Sequence, residues 1–307
     1  MAFLQGPSVK QAEVIRGELG ESREDMEEGV RDLQSMCAAA PHLPDPERID
    51  PRFLELFVRG CRMSRERART KFETFCLSRA RNRDLYDARS LTEPPLNNVT
   101  KFLDILPLPK LTDEGYRVTI LRIRPGYPEA AADIFNTVKA ILLVSDARMK
   151  DETLIAGDVF VWECSEVRGS LAGKVLGAAA AVRRGIVLAQ GAYPQRIKRI
   201  HVVGAPPFLN TSLQLMRSCV NEKIRNRYYL HPRVSDLLEY IPARVLPAEW
   251  GGGEESLEAL ARRWRRRVDE LRDHLRSLND MCARSNDAYT HDHIYGAVGS
   301  FRKLNID

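Results

Sequence analysis

Apolar residues recur at steps of three and four positions near the start of the chain, among many charged ones. This spacing predicts helix over residues 9–40. The apolar face of that helix carries Met26, Val30, Leu33 and Met36. After a Pro-rich break, further apolar helices are predicted around residues 53–60 and after Ser64. Residues 1–90 are therefore expected to form an all-helical module.

The pattern changes after residue 90 to short β-branched segments that alternate with helical ones. Strands are predicted at residues 118–124, 159–164 and 199–203, and helices at residues 129–146, 171–182 and 210–228. Residues 105–115 contain two prolines and are predicted to be a loop and turn. Strands that alternate with helices favour an α/β fold with a mostly parallel sheet. We assign this second domain to residues 91–253.

Three consecutive glycines end the α/β domain, and an arginine-rich segment follows. Residues 254–283 are predicted to form a long helix with one apolar stripe of Leu, Val and Trp. The arginine run at residues 262–276 is interpreted as a solvated helix face. Residues 254–307 are therefore assigned as a C-terminal helix and tail.

The net charge of the chain is +5, but its basic residues are concentrated locally. Between Arg196 and Arg233 there are eight Lys and Arg residues against one acid. A basic face of this kind indicates an anionic partner, which on charge alone is a lipid surface, a nucleic acid or an acidic protein.

The cysteines and the apolar runs bear on where the protein is found. The six cysteines form no C-x-x-C pair, so we expect free thiols in a reducing compartment and no metal site. The first residues lack a charged region followed by an apolar core, and no apolar run is long enough to span a bilayer. We therefore expect a cytoplasmic protein with neither a secretory signal nor a membrane span.

The sequence contains a partial match to one known catalytic motif and lacks others. Residues 169–175 (GSLAGKV) have three residues between the glycines, where a phosphate-binding loop has four. We expect instead a helix that packs closely through Gly169, Gly173 and Gly177. The G-x-S-x-G elbow of serine hydrolases and the H-E-x-x-H motif of metalloproteases are absent. The chain is therefore predicted to be neither an enzyme nor a cofactor-binding protein.

Isolated titratable residues receive structural interpretations. His201 lies in an apolar strand and is expected to be a hydrogen-bonded core histidine. Glu163 is the one acid in a second apolar strand, and a buried carboxylate of this kind is expected to have a structural partner. His291 and His293 are expected in a solvated loop.

The predicted helix at residues 210–228 has an apolar stripe and a basic end. The stripe consists of Leu209, Leu213, Met216, Val220 and Ile224. Lys223 and Arg227 are four residues apart and are predicted to share one helical face. An apolar face beside cations is typical of a helix that inserts among anionic lipid headgroups. The alternative is an amphipathic helix packed permanently on the core.

Five segments of the chain, taken in order, are similar to motifs of one protein family. They are residues 53–75, 106–123, 193–208, 221–227 and 246–252. The chain resembles the CRAL-TRIO lipid-binding family, in the branch that includes α-tocopherol transfer protein and cellular retinaldehyde-binding protein. The resemblance covers about residues 10–285. It implies a helical N-terminal module and an α/β domain whose sheet floors an apolar cavity closed by a lid helix.

The resemblance also implies which residues contact a ligand. Residues 205–227 would form the lid, with ligand-facing candidates Phe208, Leu213, Met216, Val220 and Ile224. Candidates from the sheet are Ile120, Val161, Trp162 and Val202, although alternation alone does not say which strand face lines the cavity.

A phosphoinositide-binding patch is the second site that the resemblance implies. Its candidates are Arg196, Lys198, Arg217, Lys223 and Arg227. A further basic position of the family aligns with Cys61, which Arg59 and Arg62 flank. Gly204 stands where the family commonly has Asn, which puts the headgroup geometry in doubt.

The function that the resemblance implies is binding and transfer of a small hydrophobic lipid between membranes. Tocopherol, a retinoid, a carotenoid or a similar molecule is compatible with an apolar cavity. Phosphoinositides and anionic membranes would be its peripheral partners, with no nucleic acid, and the protein would be a monomer. Two alternatives stay open, namely a lipid-sensing adaptor without transfer activity and a lipid esterase.

Overall fold

The computed structural model describes residues 3–88, 90–152 and 154–282 of the chain. The helices that precede the sheet are Val9–Leu19 (α1), Arg23–Ala39 (α2), Pro51–Gly60 (α3), Arg65–Arg81 (α4), Arg83–Tyr86 (α5) and Leu96–Phe102 (α6). The helix predicted over residues 9–40 is divided, because Gly20 has a left-handed φ of 67° and ends α1. The side chain of Ser22 then caps α2 by accepting a hydrogen bond from the backbone N–H of Asp25.

The helical module packs against the α/β domain through an aromatic core. Phe57, Phe72 and Phe75 are fully buried and meet edge to face, and Phe75 also contacts the ring of Tyr193. At Gly60 the approach is close enough that an added Cβ would lie 2.3 Å from the carbonyl oxygen of Pro194. Glycine is therefore required where α3 meets the chain that enters the fourth strand.

Five strands form one sheet in the order β1 to β5. Their bounds are Leu103–Leu111 (β1), Tyr116–Ile123 (β2), Gly157–Glu163 (β3), Ile197–Val203 (β4) and Tyr228–His231 (β5). β1 pairs with β2 antiparallel, and the other neighbours are parallel. The three predicted strands are confirmed. Of the loop and turn predicted at residues 105–115, the turn is confirmed at residues 113–114, but the loop is wrong because residues 105–111 belong to β1. Residues Pro107 and Pro109 lie in β1, an edge strand, where the missing N–H groups of proline are tolerated.

The helices that connect the parallel strands are Ile134–Asp151 (α7), Gly169–Gly177 (α8), Ala179–Ala192 (α9), Asn210–Ser218 (α10) and Glu222–Arg225 (α11). The parallel strands follow one another in chain order, and crossovers of one hand then place their helices on the same sheet face. The single helix predicted over residues 210–228 is wrong. It breaks between Ser218 and Glu222, where Asn221 caps α11, and Tyr228 already belongs to β5.

The C-terminal segment also has two helices instead of one, Leu257–Glu270 (α12) and Arg272–Cys282 (α13), with a break at Leu271. Ala283, His291 and His293 lie outside the described residues. The predicted fold class is confirmed, with helices before an α/β domain and a mostly parallel five-stranded sheet. The division at residues 90 and 253 stays a prediction.

Two further expectations meet the structure with different outcomes. All six cysteines are free thiols, as predicted. The close packing predicted for Gly169, Gly173 and Gly177 is wrong, because a Cβ added at any of them would have no neighbour within 4 Å. The close helix contact is instead at Gly185, where a Cβ would lie 2.7 Å from Val138 of α7.

Candidate functional site

The two faces of the sheet differ in what covers them. Residues paired across parallel strands share a face, so the register Leu121, Trp162, Val202 defines one face. The register Ile120, Val161, His201 defines the opposite face. We call the first the lid face, because the lid residues pack on it, and the second the far face.

The far face is closed by the C-terminal part of the chain. Its β2 and β3 residues Ile120 and Val161 have no exposed surface and belong to a hydrophobic cluster with Trp264 and Val268 of α12. Beside them on β4, the ring of His201 lies 5.1 Å from that of Tyr240. The far face therefore forms part of the permanent core.

The lid face is apolar but less completely covered. A separate cluster joins Ile200 and Val202 of β4 to buried lid residues of α10, α11 and the turns around them. Phe160 and Trp162 pack at the edge of this cluster and remain partly exposed, although they lie on a central strand beneath helices. Large apolar side chains on a central strand are normally buried, so this face retains accessible apolar surface.

The predicted lid residues divide into two groups. Leu213, Val220 and Ile224 are buried, and Met216 is partly buried, all against the lid-face cluster. Phe208 is 51% exposed and points away from that cluster. It lies in a turn that contacts α8, where Leu176 is 39% exposed. The outer end of the lid therefore presents apolar side chains to the surroundings.

The predicted sheet residues do not share one face. Trp162 and Val202 lie on the lid face, whereas Ile120 and Val161 lie on the far face and are remote from the lid cluster. Val161 and Trp162 are adjacent, and adjacent residues of a strand always point to opposite sides. Phe160 and Ile200, two residues from Trp162 and Val202, share the lid face with them. Period-two alternation is the signal that identifies them.

The lid is fastened to α9 by one side chain. Gln190 donates a hydrogen bond to the carbonyl oxygen of Cys219 at 3.1 Å and accepts one from the backbone N–H of Asn221 at 3.2 Å. Both partners lie in the break between α10 and α11, where the backbone groups have no helical partner. The break in the predicted helix thus supplies the attachment point of the closed lid.

Gly204 forms the first turn of the lid, directly after β4. Its φ is 62°, in the left-handed region, and an added Cβ would lie 2.1 Å from Oγ of Ser165. Asn and Asp are the non-glycine residues that adopt this conformation most readily. The replacement of the common family Asn by Gly therefore preserves the backbone geometry of this hinge.

The predicted basic residues converge at the start of β4. The register of β4 shifts between Ile197 and Arg199, which makes Lys198 the extra residue of a β-bulge. The Lys198 ammonium and the Arg199 guanidinium lie 5.3 Å and 5.9 Å from the centre of the Tyr116 ring. The bulge thus brings two consecutive cations to one aromatic side chain.

A carboxylate from α1 binds at this cluster. Oε1 of Glu18 accepts hydrogen bonds from Nη2 of Arg196 at 3.1 Å and from Nζ of Lys198 at 2.5 Å. Arg62 donates to the backbone carbonyl oxygen of Glu18 at 3.0 Å. Glu18 could not be selected from the sequence, because one acid among the many charges of a surface helix has no distinguishing pattern.

Arg227 also belongs to this cluster, although not through a helical face shared with Lys223. α11 ends at Arg225, and the Arg227 guanidinium donates to the carbonyl oxygen of Ile197 at the start of β4. Burial lowers the pKa of Lys198, and the nearby charges of Arg196 and Arg227 lower it further. The cations are thus close enough to repel one another.

The other predicted basic residues lie apart from Glu18. Arg59 is held by the carboxylates of Glu21 and Glu55, each at 3.0 Å, and is only 20% exposed. Arg217 is exposed on α10, with its guanidinium 5.4 Å from the Tyr228 ring. Lys223 is exposed on α11. The structure therefore brings Arg62, Arg196, Lys198 and Arg227 together, and we call these four the basic cluster.

Residues that could have carried catalysis have structural contacts instead. His201 and His231 are hydrogen bonded through their rings at 2.8 Å, which confirms the expected core role of His201. Glu163 accepts a hydrogen bond from the backbone N–H of Ser165 at 3.0 Å. Within the described residues, no group of three potential metal ligands is found, and no helix has the length and apolarity to cross a bilayer.

The architecture is that of an α/β domain with a helical module before it and a lid over one sheet face. Residues 103–252 match the family model described as CRAL/TRIO domain. The chain therefore contains a CRAL/TRIO domain, and the predicted resemblance to the CRAL-TRIO lipid-binding family is confirmed.

Individual relatives agree with this assignment. Clavesin-2 of Homo sapiens is 25% identical over 257 residues, which cover 82% of this chain and 77% of clavesin-2. Alpha-tocopherol transfer protein-like of Homo sapiens is 25% identical over 224 residues, with 68% of this chain and 60% of that protein covered. The crystal structure of Sfh5 superimposes with a TM-score of 0.51 at 14% identity, over 78% of this chain and 92% of that one. At this identity the likeness to Sfh5 shows the fold alone.

Proposed function

We propose that the protein binds a small hydrophobic lipid between the lid face and the lid, and transfers it between membranes. The observation that carries this proposal is the partial exposure of Phe160 and Trp162 on a central strand, beneath a lid with an apolar inner side. Enclosing about 400 Å² of apolar ligand surface contributes on the order of 10 kcal/mol. The residues that would line the site are Trp162, Val202, Leu213, Met216, Val220 and Ile224, joined by Phe160 and Ile200.

The basic cluster is proposed to dock the protein on anionic membranes that contain phosphoinositides. Each Lys or Arg near such a surface contributes roughly 1 kcal/mol. The exposed Phe208 and Leu176 would enter the acyl region of the docked membrane. Arg227 connects docking to the lid, because it ends the lid segment and also bonds the start of β4.

Opening of the lid then requires few polar contacts to be broken. Gln190 bonds the break between α10 and α11, and the buried Ser212 of α10 donates a hydrogen bond to the carbonyl oxygen of Ala172 at 3.4 Å. The inner side of the lid otherwise meets apolar groups. Acyl chains can replace those apolar contacts at the membrane, so an open lid loses less there than in water. The ligand would thus move between site and bilayer without crossing water.

Transfer is the activity that tests the proposal. A nitrobenzoxadiazole-labelled tocopherol and retinaldehyde serve as probes, and movement from donor to acceptor vesicles is measured with and without protein. Mass spectrometry of organic extracts of the purified protein identifies the natural ligand. Saturable binding of a lipid without acceleration of transfer would favour a lipid-sensing adaptor instead.

The docking role predicts a separation of two measured quantities. In Arg62→Ala with Arg227→Ala, transfer from anionic vesicles should be slower by roughly thirtyfold, since the two removed cations of the basic cluster contribute about 1 kcal/mol each. The affinity of the tocopherol probe in solution should be unchanged. The matched control is Arg31→Ala with Arg52→Ala, which removes two exposed cations from α2 and α3. Equal losses of transfer and affinity would contradict this division of roles.

The arginine-rich helix α12 does not favour the adaptor alternative. Arg263 pairs with Glu255 at 2.9 Å, and Arg267 pairs with Asp151 at 2.7 Å. Arg265 reaches both Asp104 and Glu258. These guanidinium groups are satisfied within the chain, which agrees with their interpretation as a solvated helix face and leaves them little charge for a partner.

A further inference from the structure

Glu18 occupies the position in the basic cluster that an anionic headgroup would take. Its carboxylate accepts from both Arg196 and Lys198, the two cluster members at the start of β4. The side chain is 32% exposed, so an incoming anion can reach these contacts from solvent. A headgroup that binds Arg196 and Lys198 must therefore displace this carboxylate.

The placement of Glu18 does not serve the stability of its own helix. It lies one residue before the end of α1, where the carbonyl groups of the helix create a negative potential that disfavours an acid. α1 is held independently, because Ile15 and Leu19 are buried against Leu111 and Leu154. The carboxylate can therefore leave the cluster without detaching the helix.

A carboxylate satisfies the cluster incompletely. Nη1 of Arg196 is buried and has no hydrogen-bond partner among the described residues, while Nη2 is bonded to Glu18. Arg196 also lines a small cavity, of about 60 Å³, between the helical module and the starts of β3 and β4. A phosphomonoester has three terminal oxygens and can accept from more donors than Glu18 does.

Charge gives the same ranking of anions. A phosphodiester, as in phosphatidylserine, brings one negative charge from its phosphate, so its exchange for Glu18 gains little. A phosphomonoester carries about −1.5 to −2 charges at neutral pH and gains additional attraction to each cation. Burial is the largest cause that lowers the pKa of Arg196, and the charge of Arg62 lowers it further. The cations of the cluster therefore repel one another. A more highly charged anion relieves this repulsion better than a carboxylate.

We propose that Glu18 is a built-in competitor that sets an affinity threshold for the basic cluster, which phosphomonoester headgroups exceed and the phosphodiester headgroups of other anionic lipids do not. The inference rests on the proposed docking function and assigns this threshold to one residue. Membranes without phosphomonoester lipids leave Glu18 in place and the cluster closed. Membranes that carry them displace it and engage Arg196 and Lys198.

The test compares binding of the full chain to two sets of phosphatidylcholine vesicles of equal surface charge. One set contains phosphatidylinositol 4,5-bisphosphate and the other phosphatidylserine. Glu18→Gln keeps the shape of the side chain and should raise binding to phosphatidylserine vesicles about fivefold, the factor for one charge near an anionic surface. Binding to bisphosphate vesicles should rise by a similar factor, because both headgroups must displace Glu18 in wild type.

Two further variants separate the competitor from a general charge effect. Glu13→Gln changes the net charge equally on the exposed side of α1 and should leave binding to both vesicle sets nearly unchanged. Glu18→Asp retains the charge and should gain less binding than Glu18→Gln. Equal gains for Glu18→Gln and Glu13→Gln would overturn the role of Glu18 while leaving the docking function intact.

Failure of the docking function gives a different result. The double variant Arg196→Gln with Lys198→Gln should lose the preference for bisphosphate vesicles that wild type shows. If wild type and Glu18→Gln bind neither vesicle set above the level of pure phosphatidylcholine, the docking function fails and the inference fails with it. Circular dichroism at each variant's assay temperature checks that α1 and the rest of the fold are retained.

Discussion

The two faces of one sheet are built from similar residues but are packed differently. On the far face, Ile120 and Val161 are completely buried by the C-terminal part of the chain. On the lid face, the adjacent residues Leu121 and Trp162 remain partly exposed beneath helices. The far face has the dense packing of a core, whereas the lid face keeps apolar surface that a ligand could cover. The difference separates residues that stabilise the fold from residues available for binding.

The connections of the sheet explain the arrangement. The parallel strands lie side by side in chain order, so their crossover helices collect on a single face. The last crossover, between β4 and β5, is short and divided, and it forms the lid. The opposite face received no crossover helix and is covered by the segment after β5. The two faces are thus covered by different parts of the chain, one by crossover segments and the other by the segment after β5.

Adjacent substitutions on β2 should reveal the largest difference between the faces. Ile120→Ala removes a completely buried side chain and should lower the free energy of unfolding by about 2–5 kcal/mol. Leu121→Ala should cost less than half as much, because its side chain is already partly exposed. Urea denaturation measures both values.

Ligand affinity should rank the same two variants in the opposite order. Leu121→Ala removes lid-face surface and should weaken binding of the tocopherol probe, whereas folded Ile120→Ala should bind it as wild type does. Equal losses of stability would show that the faces are packed alike. Equal losses of affinity would place the ligand elsewhere.

The hinge at the end of β4 should show a smaller effect. Gly204→Val forces a β-branched residue to φ 62° and should destabilise the protein by about 1–2 kcal/mol from backbone strain. Gly204→Asn should cost less, since Asn tolerates this conformation. Ser165→Ala removes the side-chain oxygen that a new Cβ would meet, and should rescue Gly204→Val only in part. Full rescue would show that the contact, and not the backbone, requires glycine.

The contrast between the faces was only partly predictable from sequence. β-branched content identified β2, β3 and β4, and the apolar stripe identified Leu213, Met216, Val220 and Ile224 as an inner lid side. The sequence did not decide which alternate residues of β2 and β3 face the lid. Both sets are apolar, because helices cover one face of the sheet and another segment covers the other. Adjacent strand residues nevertheless point to opposite sides of a sheet, so Val161 and Trp162 cannot both line the lid face.

Other features depend on contacts between distant residues. β1 was predicted as a loop because of Pro107 and Pro109, and only its edge position makes these prolines acceptable. The break between α10 and α11 depends on Gln190, about thirty residues earlier, which bonds the exposed backbone groups. Glu18 reaches Lys198 across 180 residues of sequence. Local patterns contain no record of such partners.

A histidine pair on the far face allows the last and smallest expected effect to be measured. His201 on β4 and His231 on β5 flank the lid in the sequence and are bonded to each other. Burial, together with the nearby charges of His231 and Arg199, lowers the pKa of His201 to about 4. Burial also lowers the pKa of His231, which Asp236 and Glu239 partly oppose. The rings of Tyr229 and Tyr240 complete the surroundings.

The sign follows from proton binding. Below an ordinary histidine pKa of about 6.5, the unfolded chain binds protons that the folded pair resists, so the folded state loses stability as pH falls. The contribution is fully present above about pH 6.5 and declines towards pH 4. Between pH 7.5 and 5.5 the free energy of unfolding should fall by about 1 kcal/mol on account of His201.

The comparison of wild type with His201→Gln isolates this contribution. The variant should be less stable than wild type at pH 7.5, because the bond to His231 changes, but its stability should decline less between pH 7.5 and 5.5. His274, whose pKa burial also lowers, is present in both proteins, so its effect cancels. Identical pH dependence in the two proteins would show that His201 is protonated as readily in the folded chain as in the unfolded one. The far face would then be open to water, contrary to its dense packing.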